Sequence, residues 1–212
     1  MKLYHGSKLK INDPINHGSK EYNDYGPAFY LTRDLESAKQ WSCRNNSIGY
    51  VNSYNLNDNN LKVLDLTDKN HYSVLNWLAI LLRNRELPSS FVRQFSNRIQ
   101  FIEKNYYIDV NDYDVVIGYR ADDAYFRFPI DFVIGNITLE QLEDSFMLGE
   151  MGIQVVIMSQ KGIDQLTFVD AVLSEERYIG KYFENVNQAT KKYDDLPRDI
   201  QGTYITDLMK KK

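Results

Sequence analysis

A chain of 212 residues is of single-domain size and can bury a substantial core. Its net charge of −4 and pI near 5.4 exclude a global basic field for nucleic acid, and its one cysteine excludes an internal disulfide framework. The best apolar window, "VLNWLAILL", is half of the ~20 residues a bilayer span needs, and the N-terminus "MKLYHGSKLK" holds no apolar leader, so a soluble cytoplasmic protein with no membrane partner is expected.

In chain order, "KLYHG" predicts a short strand running into a glycine turn, and "AFYLT" (Ala28–Thr32) a second strand. Asp34 is a good N-cap for "LESAKQWS", in which Leu35, Ala38 and Trp41 recur at helical spacing. Strands are expected at "IGYVNSYNL" and "LKVLDL", followed by two apolar-periodic helices, "SVLNWLAILLRN" and "SSFVRQFSNRIQFIEKN", parted by Pro88. "YDVVIGYR" is a continuous apolar run of the kind that forms buried strands, and "ADDAYFRFPIDF" after it is expected to be irregular. Thr138 and Gln141 have the spacing of a capping box for "TLEQLEDSFML". "QVVIMS" and "LTFVDAVL" complete the strands, with Ser159 capping a short helical turn between them. The pattern predicts an α+β fold with helices clustered mid-chain, since the regular alternation of a doubly wound sheet is missing. Residues 1–174 are expected to form the domain, and 175–212 a polar, peripheral helical tail that is not a domain of its own.

The sequence contains no CxxC, HExxH, Walker or strand-linked GxGxxG motif, and with three histidines and one cysteine no metal site is expected. Cys43, at a helix end with nothing specific nearby, reads as a buried thiol. The tetrapeptide HGSK occurs twice, at His5–Lys8 and His17–Lys20. The first copy ends an apolar strand, which would hold His5 in place, let a ligand approach the backbone at Gly6 and offer the Ser7 hydroxyl. The second follows "NDPIN", where glycine and serine are ordinary turn residues. Tyr30 lies on a strand after Gly26, and Trp41 follows eleven residues later across one helix face; both rings fit a core role equally well on spacing alone.

"YHGSK" followed by "GPAFYLTRDLESAKQWS" resembles the NAD-binding half of the diphtheria-toxin and poly(ADP-ribose) polymerase type of ADP-ribosyltransferase. The resemblance selects the first HGSK copy and implies a split β-sandwich of short strands with helices inserted mid-chain. It implies His5, Tyr30 and Gln154 as catalytic residues and NAD as co-substrate, with no metal. On the same basis NAD would be held by His5 at the adenosine ribose, by Gly6 and Ser7 at the carboxamide, by Tyr30 and Trp41 around the pyridinium ring, and by Arg33 or Arg120 at the pyrophosphate. Asp122 is also a candidate NAD-binding residue. The chain further resembles, through "LYHGS", "FYLT" and "DVVIGYRADD", a bacterial family of unknown function often encoded beside a small antitoxin-like partner.

The implied function is mono-ADP-ribosylation of a protein or nucleic-acid acceptor by the toxin of a toxin–antitoxin pair. The alternative is a catalytically silent protein of the same fold that binds NAD or a partner; removal of an RNA 2′-phosphate with NAD as acceptor is a third reading. Gln154 departs from the glutamate usual at its position, which leaves the charge under the developing ribosyl cation unaccounted for. Asp122, Asp123 and Glu150 are the candidates to supply it, and Gln154→Glu is expected to speed NAD cleavage.

Overall fold

The computed structural model describes residues 1–14, 21–121, 126–145, 152–197 and 199–211. Among them the fold is α+β, with seven strands in one mixed sheet and eight helices. The strands are β1 (Lys2–Ser7), β2 (Phe29–Thr32), β3 (Tyr50–Leu56), β4 (Val63–Asp65), β5 (Val115–Tyr119), β6 (Ile153–Ile157) and β7 (Leu166–Leu173). The helices are α1 (Leu35–Ser42), α2 (Val74–Asn84), α3 (Ser89–Tyr106), α4 (Arg127–Ile134), α5 (Leu139–Ser145), α6 (Gln160–Ile163), α7 (Lys181–Asp194) and α8 (Ile205–Lys210).

The sheet order is β4-β5-β6-β2-β1-β3-β7, antiparallel except for the β4–β5 pair. β1 is paired with β3 along its whole length, from Lys2↔Asn55 to Ser7↔Tyr50. Its junction with β2 rests on Tyr4↔Thr32, so beyond Tyr4 the two strands part and His5, Gly6 and Ser7 lie beside a gap. The sheet continues across this one-position junction, with β4-β5-β6-β2 on one side of it and β1-β3-β7 on the other.

Strand alternation sends successive side chains to opposite faces. One face carries Leu3, Phe29, Leu31, Val115, Ile117, Val155 and Ile157 in a single cluster with Tyr54. The other carries Leu64, Val116 and Val156 beneath a larger cluster that includes Trp77, Ile102, Phe128, Phe132 and Leu142, from α2 to α5. Ala189, Tyr193 and Ile205 of the C-terminal helices belong to this same larger cluster, so the polar tail is anchored by an apolar stripe. No helix among the described residues is long and apolar enough to cross a membrane.

Local chemistry accounts for most element ends. The Asp34 carboxylate accepts from the Glu36 and Ser37 amides and starts α1. Thr138 and Gln141 bond reciprocally at the start of α5, as a capping box requires, and Ser159 accepts from the Gly162 amide at α6. The expectation of an irregular segment fails at α4. Pro129 stands third in that helix, where the N–H it lacks would have had no partner within the helix, so the ring does not interrupt it. Gly135, at φ 87°, ends α4 in the left-handed region.

Gly6 is fixed by packing. A Cβ there would press into the Ala38 carbonyl oxygen and lie 2.7 Å from the Ser42 nitrogen, so the absence of a side chain is what lets α1 rest directly on β1. Gly118 has the same logic on β5, where the Tyr25 hydroxyl fills the space of a missing Cβ.

Candidate functional site

β6, β2 and β1 are consecutive in the sheet, so Gln154, Tyr30 and His5 come from three neighbouring strands. Tyr30 pairs with Val156 and Thr32 with Gln154, which places Tyr30 and Gln154 on one sheet face. His5 continues the other face, that of Leu3, and stacks there on Phe29 with ring centres 4.8 Å apart.

The His5 Nδ1 donates to the Tyr30 carbonyl oxygen at 2.7 Å. A carbonyl only accepts, so this bond puts the proton of the neutral ring on Nδ1 and leaves a lone pair on Nε2. Burial pushes the His5 pKa down; the Tyr30 carbonyl opposes this and the Arg120 charge adds to it. The result is a neutral imidazole whose Nε2 meets no donor among the described residues, a ready acceptor for a ligand hydroxyl.

The Tyr30 hydroxyl is fully engaged. It donates to the Gly26 carbonyl at 2.6 Å and accepts from the Tyr25 amide at 3.1 Å, and burial holds its pKa far above the usual phenol value. It therefore closes the loop before β2, and the ring is the part of Tyr30 left to meet a ligand. Trp41, on α1, is brought to the same region by the contact of α1 with Gly6. Its indole is covered by the Arg44 and Arg120 guanidinium groups, 4.3 and 5.0 Å from the ring centre, and meets Tyr182 of α7 edge-on at 5.7 Å. Arg120 thus lies within electrostatic reach of both Trp41 and His5.

Ser7 is half-buried, and its Oγ accepts from the Leu9 amide at 3.2 Å. The fully buried Asn52 fixes the chain leaving β1, donating to the His5 and Leu9 carbonyls and accepting from the Ile11 amide. Arg33 is set apart: it is exposed, with its guanidinium 3.6 Å from the Met1 sulfur. Asp122, Asp123, Glu150 and the second HGSK copy lie outside the described residues. Cys43 is buried beside Ser42. No group of three or more His, Cys, Asp or Glu among the described residues is arranged to hold a metal ion.

The residue that sequence reasoning missed is Asp24. It is 6% exposed, and its Oδ2 accepts from the Ala121 amide at 2.8 Å and from the Gln154 Nε2 at 2.9 Å, while Arg85 of the α2 C-terminus stands 3.7 Å from Oδ1. Burial raises its pKa, and the Ala121 amide, Arg85, Gln154 and Arg120 pull it back. Nothing local in "YNDYG" marks this aspartate, because its partner stands 130 positions away.

A family model described as "Protein of unknown function (DUF3990)" matches residues 1–168. The chain belongs to this family. No curated protein and no solved structure matches it. The family span holds His5, Asp24, Tyr30, Trp41, Arg120 and Gln154 and ends inside β7, so α7, whose Tyr182 meets Trp41, follows it.

The depressed His5 pKa makes a prediction about stability. The unfolded chain takes up this proton at its ordinary 6.5, before the folded chain does, so the His5 contribution is complete above 6.5 and is lost as pH falls below it. The stability difference between the native protein and a His5→Gln variant should shrink by up to ~1.4 kcal/mol per pH unit below that point in urea titrations. The raised Asp24 pKa acts with opposite sign, lowering stability as pH rises from 3.8 towards the folded value, and it cancels in the comparison because both proteins carry it.

Proposed function

We propose that the chain is a mono-ADP-ribosyltransferase that cleaves NAD and transfers ADP-ribose to a protein or nucleic-acid acceptor, on an ADP-ribosyltransferase-like split sheet. The observation that carries this reading is that His5, Tyr30 and Gln154 stand on three adjacent strands, with the His5 ring bonded to the Tyr30 carbonyl beside the single paired position of β1 and β2. These were selected by motif alone, from positions as far apart as 5 and 154 in the sequence.

The chemistry asked of the site is scission of the bond between C1′ of ribose and the nicotinamide nitrogen. The bonding pair goes to the pyridinium nitrogen, nicotinamide leaves neutral, and the ribosyl centre becomes an oxocarbenium-like cation, as in glycoside hydrolysis. A lone pair of an acceptor hydroxyl or amine then bonds to C1′, and its proton passes to water. In this reading the His5 Nε2 accepts a hydrogen bond from an adenosine ribose hydroxyl, and the Gln154 amide meets the nicotinamide ribose. The Tyr30 and Trp41 rings offer faces to the cationic ring, and the Arg120 charge, near Trp41 and His5, faces the pyrophosphate. A role as the toxin of a toxin–antitoxin pair, with an antitoxin-like partner, rests on the sequence resemblance.

The second reading, a silent binder of NAD or of a partner, is favoured by one observation. Trp41 already has two guanidinium groups over its indole, cations that compete with a pyridinium ring for the same aromatic surface. Incubation with NAD labelled in its adenylate moiety and a bacterial lysate separates the two. Label on macromolecules, lost with His5→Ala, supports transfer; saturable NAD binding without label supports the silent reading; neither removes NAD from the account.

A further inference from the structure

The Gln154 side chain is 3% exposed, and its amide has a fixed orientation. Nε2 donates to the Asp24 carboxylate at 2.9 Å and to the Tyr119 carbonyl at 3.2 Å. Both partners are acceptors, so turning the amide over would set its oxygen against two oxygens; Oε1 is therefore held facing away from them. Among the described residues no donor reaches Oε1, which leaves a buried acceptor without a partner. Asp24 is surrounded by the Ala121 amide, the Gln154 amide and the Arg85 and Arg120 cations, and by the Tyr25 and Tyr30 phenols, whose raised pKa values keep them neutral. Burial raises its pKa, and every donor directed at it opposes that shift and favours the ionised carboxylate.

We propose that Asp24 is a positioning residue which supplies, through the hydrogen-bonded Gln154 amide, the negative charge that a glutamate at position 154 would carry directly. The inference rests on the reading of this site as NAD-cleaving. A carboxylate bonded to the N–H side of an amide draws the proton towards itself and leaves more negative charge on the amide oxygen, which makes Oε1 a stronger acceptor for the ribose 2′-hydroxyl. The Asp24 charge also lies one side chain away in a desolvated setting, where its field acts on a developing cation more strongly than it would in water. The glutamine in this chain is thus half of a two-residue unit, and the acid is on the loop that leads into β2.

The unit changes what Gln154→Glu should do. With Asp24 present, a second carboxylate at hydrogen-bonding distance is accommodated by a proton shared between the two, as like charges at such separations require, and no charge is gained. The earlier expectation of faster cleavage applies once Asp24 is neutral.

The experiment is nicotinamide release from NAD by the purified full chain, with kcat and KM measured for the native protein, Asp24→Asn, Gln154→Glu and the double variant. Asp24→Asn keeps an oxygen for both the Ala121 and Gln154 donors and removes the charge. It should lower kcat by roughly 10- to 100-fold with KM changed by less than about threefold, because the charge matters as the cation forms. Gln154→Glu should raise kcat roughly tenfold or more when added to Asp24→Asn, and should not raise it when Asp24 is in place. If Asp24→Asn cannot be recovered folded, the Gln154→Glu result decides by itself: marked acceleration with Asp24 in place overturns the proposal. Native-like kcat in Asp24→Asn also overturns it, as does a loss confined to KM. In these cases the NAD reading stands, whereas no nicotinamide release by the native protein, at a level distinct from His5→Ala, rejects that reading and this inference together.

Discussion

Gly6→Ala is expected to destabilise the protein by about 3 kcal/mol, at the top of the usual range for overpacking. The new methyl would meet the Ala38 carbonyl and the Ser42 nitrogen, which are helix backbone and cannot rotate out of the way. β1 cannot yield either, because it is paired to β3 from Lys2 to Ser7. The remaining accommodation is for α1 to lift from the sheet, carrying Trp41 with it, so the contact of the indole with Arg120 should be lost. Urea unfolding followed by tryptophan fluorescence checks both effects: a midpoint lowered with unchanged slope, and a shifted native-state emission. A cost below ~0.5 kcal/mol would mean that α1 is not held against β1 in the way described.

The second large effect is expected at Tyr30, where two substitutions should separate the hydroxyl from the ring. Tyr30→Phe leaves the Gly26 carbonyl and the Tyr25 amide without their partner and should cost about 1–3 kcal/mol of stability. Its ring face is unchanged, so nicotinamide release under conditions where the variant is folded should stay within about threefold of native, since no interaction made only in the transition state is removed. Tyr30→Ala removes the ring as well, and should cost about 3 kcal/mol while reducing nicotinamide release by about 100-fold or more. Equal loss of activity in the two variants would show that the hydroxyl, and not the ring, serves the reaction.

The parts of the fold that were legible in the sequence are those decided by neighbours. Asp34 before α1, Thr138 with Gln141 before α5, and Ser159 before α6 are caps whose partners lie two or three residues away, and each acts as its spacing predicts. The apolar run at Val115–Gly118 is buried because apolar clusters cover both faces of the sheet there. α4 was hidden because Pro129 reads as a breaker unless the helix start is already known. The parallel β4–β5 pair and the parting of β1 from β2 depend on strand order, which no local pattern encodes.

The candidate site divides along the same line. His5, Tyr30 and Gln154 were found because each stands in a motif, and the structure brings their strands side by side. At Gly6 the close approach that the structure shows is that of α1, which comes from more than thirty residues away and is not marked by the local sequence. Asp24 escaped notice because its meaning depends on Gln154 and Ala121, which reach it across the sheet from distant sequence positions. Arg33 and Arg120 could not be told apart as anion partners by sequence; one lies exposed against Met1, the other over Trp41.

The central claim is that a dinucleotide lies across the gap between β1 and β2, with one ribose on each side of it. A crystal structure of the protein with a non-cleavable NAD analogue tests this most directly. The adenosine ribose hydroxyl is expected on His5 Nε2 and the nicotinamide ribose 2′-hydroxyl on Gln154 Oε1, with the nicotinamide ring against Tyr30 and Arg120 moved from Trp41. An analogue bound elsewhere, or bound here with both of those atoms still without a partner, would contradict it.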